Sequence, residues 1–494
     1  MTTGRVLIAV AVLVAGCRPA GAADPDPADV DRAINTALRA WDVPGAAVAV
    51  VRGDQTLVLK GYGRKHGDRP DPVTPDTVFP LASCTKAFTT ALLAMLVDEG
   101  KIGWDDRART HAPGFHLSDP HADVLLTVRD LVTHRTGLGA NDLLWYRAPW
   151  GVDDIIRRAE SVPLEYPFRS GFAYCSIPFL AAGRAAANAG KQPWEVLVRN
   201  RICEPLGMNS VTFTTKDIPP TADRAGGHRK GKGGKVGPMP PYEMAEPNPS
   251  GSMNASARDL AAWVKFHLAG GVVGGKRLVS EKNLRETRTP QNVIRLEGSV
   301  RAMHPDTHQL SYAMGWLVFD HRGKLVVAHG GVIDGFRVQI TLLPEEKLGL
   351  VVLSNLHETR MNQAVSNTLI DLYCGLPGRD WNGYYGKVVA DDEARTRSEV
   401  EARNKARKPN TRPSLPPSGY AGEYRDRAYG QAKVTADGDR LVLEWSSFRC
   451  PLEHFQDDTF RVTDGYLEDQ LVEFGLAPGR GAVALRLTGV VFKK

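Results

Sequence analysis

Cysteine is scarce in this chain. Six occur among 494 residues, at Cys17, Cys84, Cys175, Cys203, Cys374 and Cys450. No CxxC pair and no Cys/His group of zinc-ligand spacing exists, so neither metal nor cofactor is expected. The thiols read as small buried apolar side chains, with a Cys84–Cys175 bridge as the alternative. His111, His116 and His121 crowd the stretch HAPGFHLSDPH. They have no partner cluster elsewhere and read as surface histidines. An excess of charge is also missing. Lys and Arg number 62 against 56 Asp and Glu, a net +6. That balance, with no basic stripe interleaved with aromatics, speaks against a nucleic-acid partner. The densest basic run, HRKGKGGKVG at 228–237, is laced with glycine and reads as a surface loop. Beyond the N-terminus no apolar run is long enough to cross a bilayer. There is no Gly-x-Ser-x-Gly elbow, no phosphate-binding loop, no dinucleotide fingerprint and no internal repeat.

What is present is ordinary globular composition, 42% apolar and 24% charged, in a chain long enough for two domains or more. The N-terminus MTTGRVLIAVAVLVAGC carries one Arg, a short apolar run and small residues. It reads as a signal peptide over residues 1–22. Two processing readings stay open. Val14-Ala15-Gly16-Cys17 resembles a lipobox, which would lipidate Cys17 and anchor the protein to a membrane. Ala20-Gly21-Ala22 suits ordinary signal peptidase. Either predicts an exported bacterial protein, periplasmic or membrane-anchored.

Helical periodicity appears at 28–42, followed by two β-rich runs flanking Gly53-Asp54, a hairpin. Helices are predicted at 84–99, 127–134, 152–160, 176–189, 193–202 and 256–269. Strand signals return in AMGWLVFD, KLVVAHGG, FRVQITLLP and KLGLVVLSN, and a helix follows at 360–374. Strands and a helix at each end therefore enclose a mainly helical middle. The expected class is α/β (α+β), an antiparallel sheet flanked by helices with a helical insert, spanning 28–385. Residues 386–412 form a charged linker, read as a helix or a solvated strap. Residues 413–494 read as a separate all-β barrel.

Three short stretches carry chemistry. In LASCTKAFTTALLAMLVDEG, Ser83 and Lys86 are three apart and share a helix face. The helix N-terminus favours a developing anion at Ser83. Apolar surroundings disfavour a charged Lys86, whose amine can then take the serine proton. Tyr174 and Ser176, in FAYCSIPF, can face one way from a loop, with Tyr174 relaying a proton. His329, in VVAHGGVIDGF, ends a strand, and Gly330 and Gly331 would let a substrate backbone lie along its edge. Each has a plain alternative: a snorkelling lysine, a packed tyrosine with a capping serine, a strand end with a turn. His134 is expected to pack or bond locally.

The order SCTK, Tyr-Cys-Ser, His-Gly-Gly resembles the serine β-lactamase and penicillin-binding-protein superfamily, in which Ser-x-x-Lys is a signature. The stretches VPGAAVAVVRGDQ, LTVRDLVTHRTGLG, GSMNASARDLAAW and YAMGWLV support the class C-type branch of D-Ala-D-Ala carboxypeptidases, D-aminopeptidases and esterases. The tail resembles the lipocalin-like barrel of some members. The resemblance implies Ser83 as acyl-forming nucleophile, Lys86 as base and Tyr174 as proton relay. It implies an oxyanion hole from the Ser83 and Val332 N–H groups, each donor contributing about 3 to 4 kcal/mol. Ser176 stands where the family usually has Asn. His329-Gly330-Gly331 stands where many relatives have Lys-Thr-Gly. Both changes weaken the hold on the carboxylate of a β-lactam or of a D-Ala terminus, His329 being about half protonated near pH 6.5. The implied activity is a serine hydrolase acting on a small peptide, D-amino-acid amide or ester, peptidoglycan fragments included, with β-lactamase activity weak at most. The rival is a penicillin-binding cell-wall sensor or scaffold that turns over little.

Overall fold

GAAVAVVR folds as strand β1 (Gly45–Arg52) and is buried along nearly its whole length, as befits a strand covered on both faces. Gly53, at φ +60°, turns it back into β2 (Gln55–Gly63). The structure, a computed structural model, describes residues 24–244 and 246–494. The expected signal peptide and Cys17 lie outside the described residues.

Six further strands complete the sheet: β3 (Asn292–Ile294), β4 (Leu310–Tyr312), β5 (Leu317–His321), β6 (Lys324–Ile333), β7 (Phe336–Leu343) and β8 (Leu348–Ser354). The eight strands run in the order β2-β1-β8-β7-β6-β5-β4-β3, antiparallel throughout. Ala46 of β1 lies opposite Ser354 of β8, so both ends of the unit meet at mid-sheet, as the sequence predicts. Helices α1 (Pro27–Trp41) and α5 (Met361–Cys374) cover the outer face. There Val30 and Ile34 of α1 pack with Val48 and Val50. The inner face meets α4 (Ala257–Leu268) and the helical insert, which contains α2 (Thr85–Asp98) and α3 (Ile177–Gly190). From Thr85 to Leu96, α2 is buried on every side, the mark of a helix inside a core. Its Phe88 ring stacks 3.9 Å from Trp263 of α4. Burying such a side chain contributes about 1.5 to 3 kcal/mol.

The charged stretch resolves as helix rather than strap. Helix α6 (Trp381–Lys405) crosses the expected 385/386 boundary without a break. Its root is held by Trp381, whose Nε1–H donates to Asp371 at 2.7 Å, and its end by Arg403, paired with Asp469 at 2.6 Å. Beyond it, strands β9 (Gly422–Asp426), β10 (Gly430–Asp437), β11 (Arg440–Trp445), β12 (Phe448–Gln456), β13 (Thr459–Val462), β14 (Leu471–Ala477), β15 (Gly481–Leu487) and β16 (Val490–Lys493) close a barrel. The barrel touches the 141–150 loop of the insert. The Tyr429 hydroxyl donates to Asn141 at 2.7 Å and the Ser447 hydroxyl to the Arg147 carbonyl at 2.7 Å.

Cys84, Cys175, Cys203, Cys374 and Cys450 are free thiols, so Cys84 and Cys175 are not bridged. His111 and His116 lie beside Asp106 and Asp123, at 2.9 and 3.2 Å.

Candidate active site

Ser83 sits on a short 3-10 turn, Ala82–Cys84, immediately before α2. The turn is held in place on both sides. Leu81 N–H donates to the Met253 carbonyl at 2.8 Å, and the Cys84 thiol to the His329 carbonyl at 3.3 Å. Ala82 adopts φ +46°, uncommon for a residue with a Cβ and a sign of local strain. Gly331 explains the close approach of β6. A Cβ there would stand 2.2 Å from the Leu81 carbonyl oxygen. The second glycine of His-Gly-Gly thus admits the nucleophile turn, where the sequence had suggested a bed for substrate backbone.

Lys86 is fully buried. Its Nζ lies 3.1 Å from Ser83 Oγ, 2.9 Å from the Ser250 carbonyl and 3.4 Å from Ser176 Oγ. No carboxylate pairs with it among the described residues. Burial lowers its pKa from 10.5 to about 7, with distant Asp142 opposing. The amine is therefore available as a base near neutral pH. Ser176 occupies the N-cap of α3 but makes no capping bond; its hydroxyl turns to Lys86 instead.

The Tyr174 ring centroid is 4.9 Å from Lys86 Nζ. Its hydroxyl is buried and forms no hydrogen bond of regular geometry. Burial raises its pKa far above the usual value, with the Ser83 side chain opposing in part. Tyr174 thus stays a neutral phenol beside the serine.

His329 is buried and its ring is fully engaged. Nδ1 lies 2.8 Å from the Gly330 carbonyl and Nε2 3.0 Å from the Tyr312 hydroxyl. Nδ1 must carry the proton to donate to a carbonyl, so Nε2 accepts from Tyr312. Burial, with Lys86 nearby, pushes the imidazole down to about 3. The half-protonated histidine expected from the sequence is a neutral ring here, because desolvation outweighs its intrinsic basicity.

Asp334 and Gly335 join Ile333 to Phe336 in a two-residue turn. The closing pair of such a hairpin exchanges hydrogen bonds, so the next pair, Val332 and Arg337, does not. The Val332 N–H therefore points away from β7. Strand β5 pairs only as far as Ala328, which leaves this edge of β6 open toward Ser83.

The structure brings Ser83, Lys86, Tyr174, Ser176, His329 and Val332 around one cavity of about 420 Å³. Three neighbours escaped the sequence reading. Ser250 supplies the carbonyl that holds Lys86. Tyr312 orients His329. Asp142 stands at the exposed mouth, accepting from Trp145 Nε1–H at 2.8 Å. No motif singles out any of them; only the fold brings them to the site. His134 packs as expected, its ring 4.2 Å from that of Tyr174 and its Nδ1 accepting the Cys175 N–H at 3.1 Å.

The chain is similar to known proteins in sequence and in fold. The family model described as Beta-lactamase matches residues 30–374. A second, the domain of unknown function DUF3471, matches residues 406–491, the barrel region. The chain is 26% identical to Unguisins hydrolase ungD of Aspergillus violaceofuscus, over 94% of this chain and 88% of that protein. Solved structures with a similar fold include the following two. The octameric penicillin-binding protein homologue from Pyrococcus abyssi has a TM-score of 0.63 at 20% identity, covering 95% of this chain and all (100%) of that one. A D-stereospecific amidohydrolase from Streptomyces has a TM-score of 0.58 at 22% identity, covering 72% of this chain and all (100%) of that one. With the family model spanning more than half of its length, and with a serine and a buried lysine one helical turn apart, the chain belongs to the beta-lactamase family.

Proposed function

We propose that this beta-lactamase-family hydrolase cleaves a short peptide, D-amino-acid amide or ester through an acyl-enzyme on Ser83. The observation that carries the reading is a buried amine with no carboxylate partner, 3.1 Å from Ser83 Oγ and with a pKa near 7. Neutral Lys86 takes the Ser83 proton as Oγ attacks the substrate carbonyl carbon. The oxyanion that forms accepts from the N–H groups of Ser83 and Val332, which stabilise it by about 3 to 4 kcal/mol per donor. Collapse breaks the bond to the leaving amine or alcohol, which receives the proton from Lys86 by way of the Tyr174 hydroxyl. Water then attacks the ester carbon by the same route, releasing the acid and restoring Ser83. A neutral His329 gives a β-lactam carboxylate no cation at this point of the site, which supports a peptidase or esterase over an efficient β-lactamase. The similarity to a protein named Unguisins hydrolase supports a hydrolase, and the fold shared with a D-stereospecific amidohydrolase agrees with an amide substrate. We also place the protein outside the cytoplasm on its N-terminal segment; labelling of Cys17 by a radiolabelled fatty acid, or its absence, separates lipoprotein from soluble export.

Wild type and Ser83→Ala should be compared on D-amino peptides, acyl esters and β-lactams. Turnover of an amide or ester, lost in Ser83→Ala, is expected. Labelling by a fluorophosphonate with no turnover of any amide or ester would favour a sensor. No adduct at Ser83 would overturn the reading.

A further inference from the structure

The cavity does not end at the nucleophile. It continues past the open edge of β6 at Gly330 onto the outer face of the sheet, beneath α5. Arg337, Gln339 and Thr341 alternate along that face of β7, opposite Val332, Gly330 and Ala328. Four residues of strand span about 13 Å, so this is an elongated compartment. Gly330 keeps it open: a Cβ there would come within 3.2 Å of Gln339 Oε1.

Arg337 is the anomaly. It is only 9% exposed, yet its guanidinium makes no hydrogen bond or ion pair to any described residue, and its Nε is buried without an acceptor. A guanidinium has five donors and is costly to bury unpaired. Its charged neighbours are Arg360, which adds positive potential, and Glu358, whose side chain is 79% exposed and lies beside His357. Burial lowers the Arg337 pKa to about 9, so it stays charged at neutral pH. Two more buried groups on α5 lack partners, Gln363 Oε1 and Ser366 Oγ. Gln363 Oε1 can only accept. Among the described residues the one carboxylate lining the cavity is Asp142, at the Ser83 end.

We propose that the outer-face compartment binds a small organic acid, with the Arg337 guanidinium receiving its carboxylate and Gln363 and Ser366 receiving an N–H or O–H group. An amino or hydroxy acid has that chemistry. It can be the carboxylate end of the hydrolase substrate or a separate small acid.

Binding is measured first in Ser83→Ala protein, so that failure of the hydrolytic reading leaves this test intact. Lactate and acetate are compared with lactamide and acetamide by calorimetry and thermal denaturation. The acids should bind and stabilise, the amides should not. Arg337→Gln should weaken acid binding roughly 10- to 100-fold, and Arg337→Lys should restore part of it. Without ligand, Arg337→Gln should be at least as stable as its parent, since an unpaired buried charge is removed. Equal responses to acid and amide, unchanged binding in Arg337→Gln, or a destabilised unliganded Arg337→Gln would overturn the proposal. The last result would make the guanidinium structural. Kinetics on the Ser83 enzyme then distinguish the sources. If the substrate's own carboxylate docks, Arg337→Gln raises KM for an ester ending in a carboxylate and not for its amide. If a separate acid docks, added lactate changes turnover of a neutral ester in wild type and not in Arg337→Gln. Absence of both effects would contradict a role for the site in turnover.

Discussion

Replacing Lys86 by methionine should alter how stability depends on pH, and the size follows from the burial of one amine. The folded protein holds Lys86 at about 7 against 10.5 in an open chain, because desolvation disfavours the ammonium. Between those values the unfolded chain binds the proton and the folded chain does not. Raising the pH through that window therefore favours the fold. At about 1.4 kcal/mol per pH unit, wild type should gain about 3.5 kcal/mol relative to Lys86→Met between about pH 7 and about pH 10. Other groups titrating in that range cancel in the difference between the proteins. Methionine fills nearly the same volume, so packing around Tyr174 and Phe179 is conserved. The assay is urea denaturation of both proteins across that range, followed by tryptophan fluorescence. Parallel stability curves would mean that Lys86 keeps its ordinary pKa, and the reasoning from burial to basicity would fail. A gap that closed in the opposite direction would refute it equally.

Tyr174→Phe removes a hydroxyl that has no other partner, so the fold should survive while kcat falls by about 10²- to 10⁴-fold with KM little changed; steady-state kinetics on the best ester decides. Gly331→Ala should destabilise by about 1 to 3 kcal/mol, because its Cβ would lie 2.2 Å from the Leu81 carbonyl oxygen. It should also slow acylation by shifting β6 off the Ser83 turn, as read by fluorophosphonate labelling. Asp130 is fully buried against Arg135 and Arg169, each at 2.6 Å. Burial raises its pKa, but Arg169, Thr127 and Arg135 outweigh that and hold it below 3.8. Asp130→Asn should therefore cost about 3 to 5 kcal/mol near neutral pH. That cost should fade below about pH 3.8, as wild type loses the same interaction; denaturation at both pH values checks it.

Long elements with clean periodicity were legible in the sequence. The Gly53-Asp54 hairpin, α2, α3, α4 and α5 fall within a residue or two of expectation, since their apolar stripes or β-branched runs are unambiguous. Short elements were not. Strands β3 and β4 have three residues each, too few for alternation to register, and they lie in what reads as a helical middle. The helix expected over 127–134 is only Val128–Leu131, stopped before His134 at φ +53°. Helix α6 has almost no apolar face beyond its root, so its polarity resembled a strap as much as a helix. In the site, spacing alone pairs Ser83 with Lys86. It says nothing of Ser250, Tyr312 or Asp142, which come from distant segments. It also misjudges His329, because the charge of an imidazole depends on burial and on Tyr312, which a strand-end motif does not encode.

In the proposed reaction a neutral Lys86 takes the proton of Ser83. The most direct measurement is the rate of Ser83 labelling by a fluorophosphonate as a function of pH, in wild type and in Lys86→Met. Wild-type labelling should rise to a plateau with a midpoint at about 7, and the rise should vanish in the variant. A midpoint near the ordinary lysine value, or a rate in Lys86→Met that matches wild type, would contradict the account.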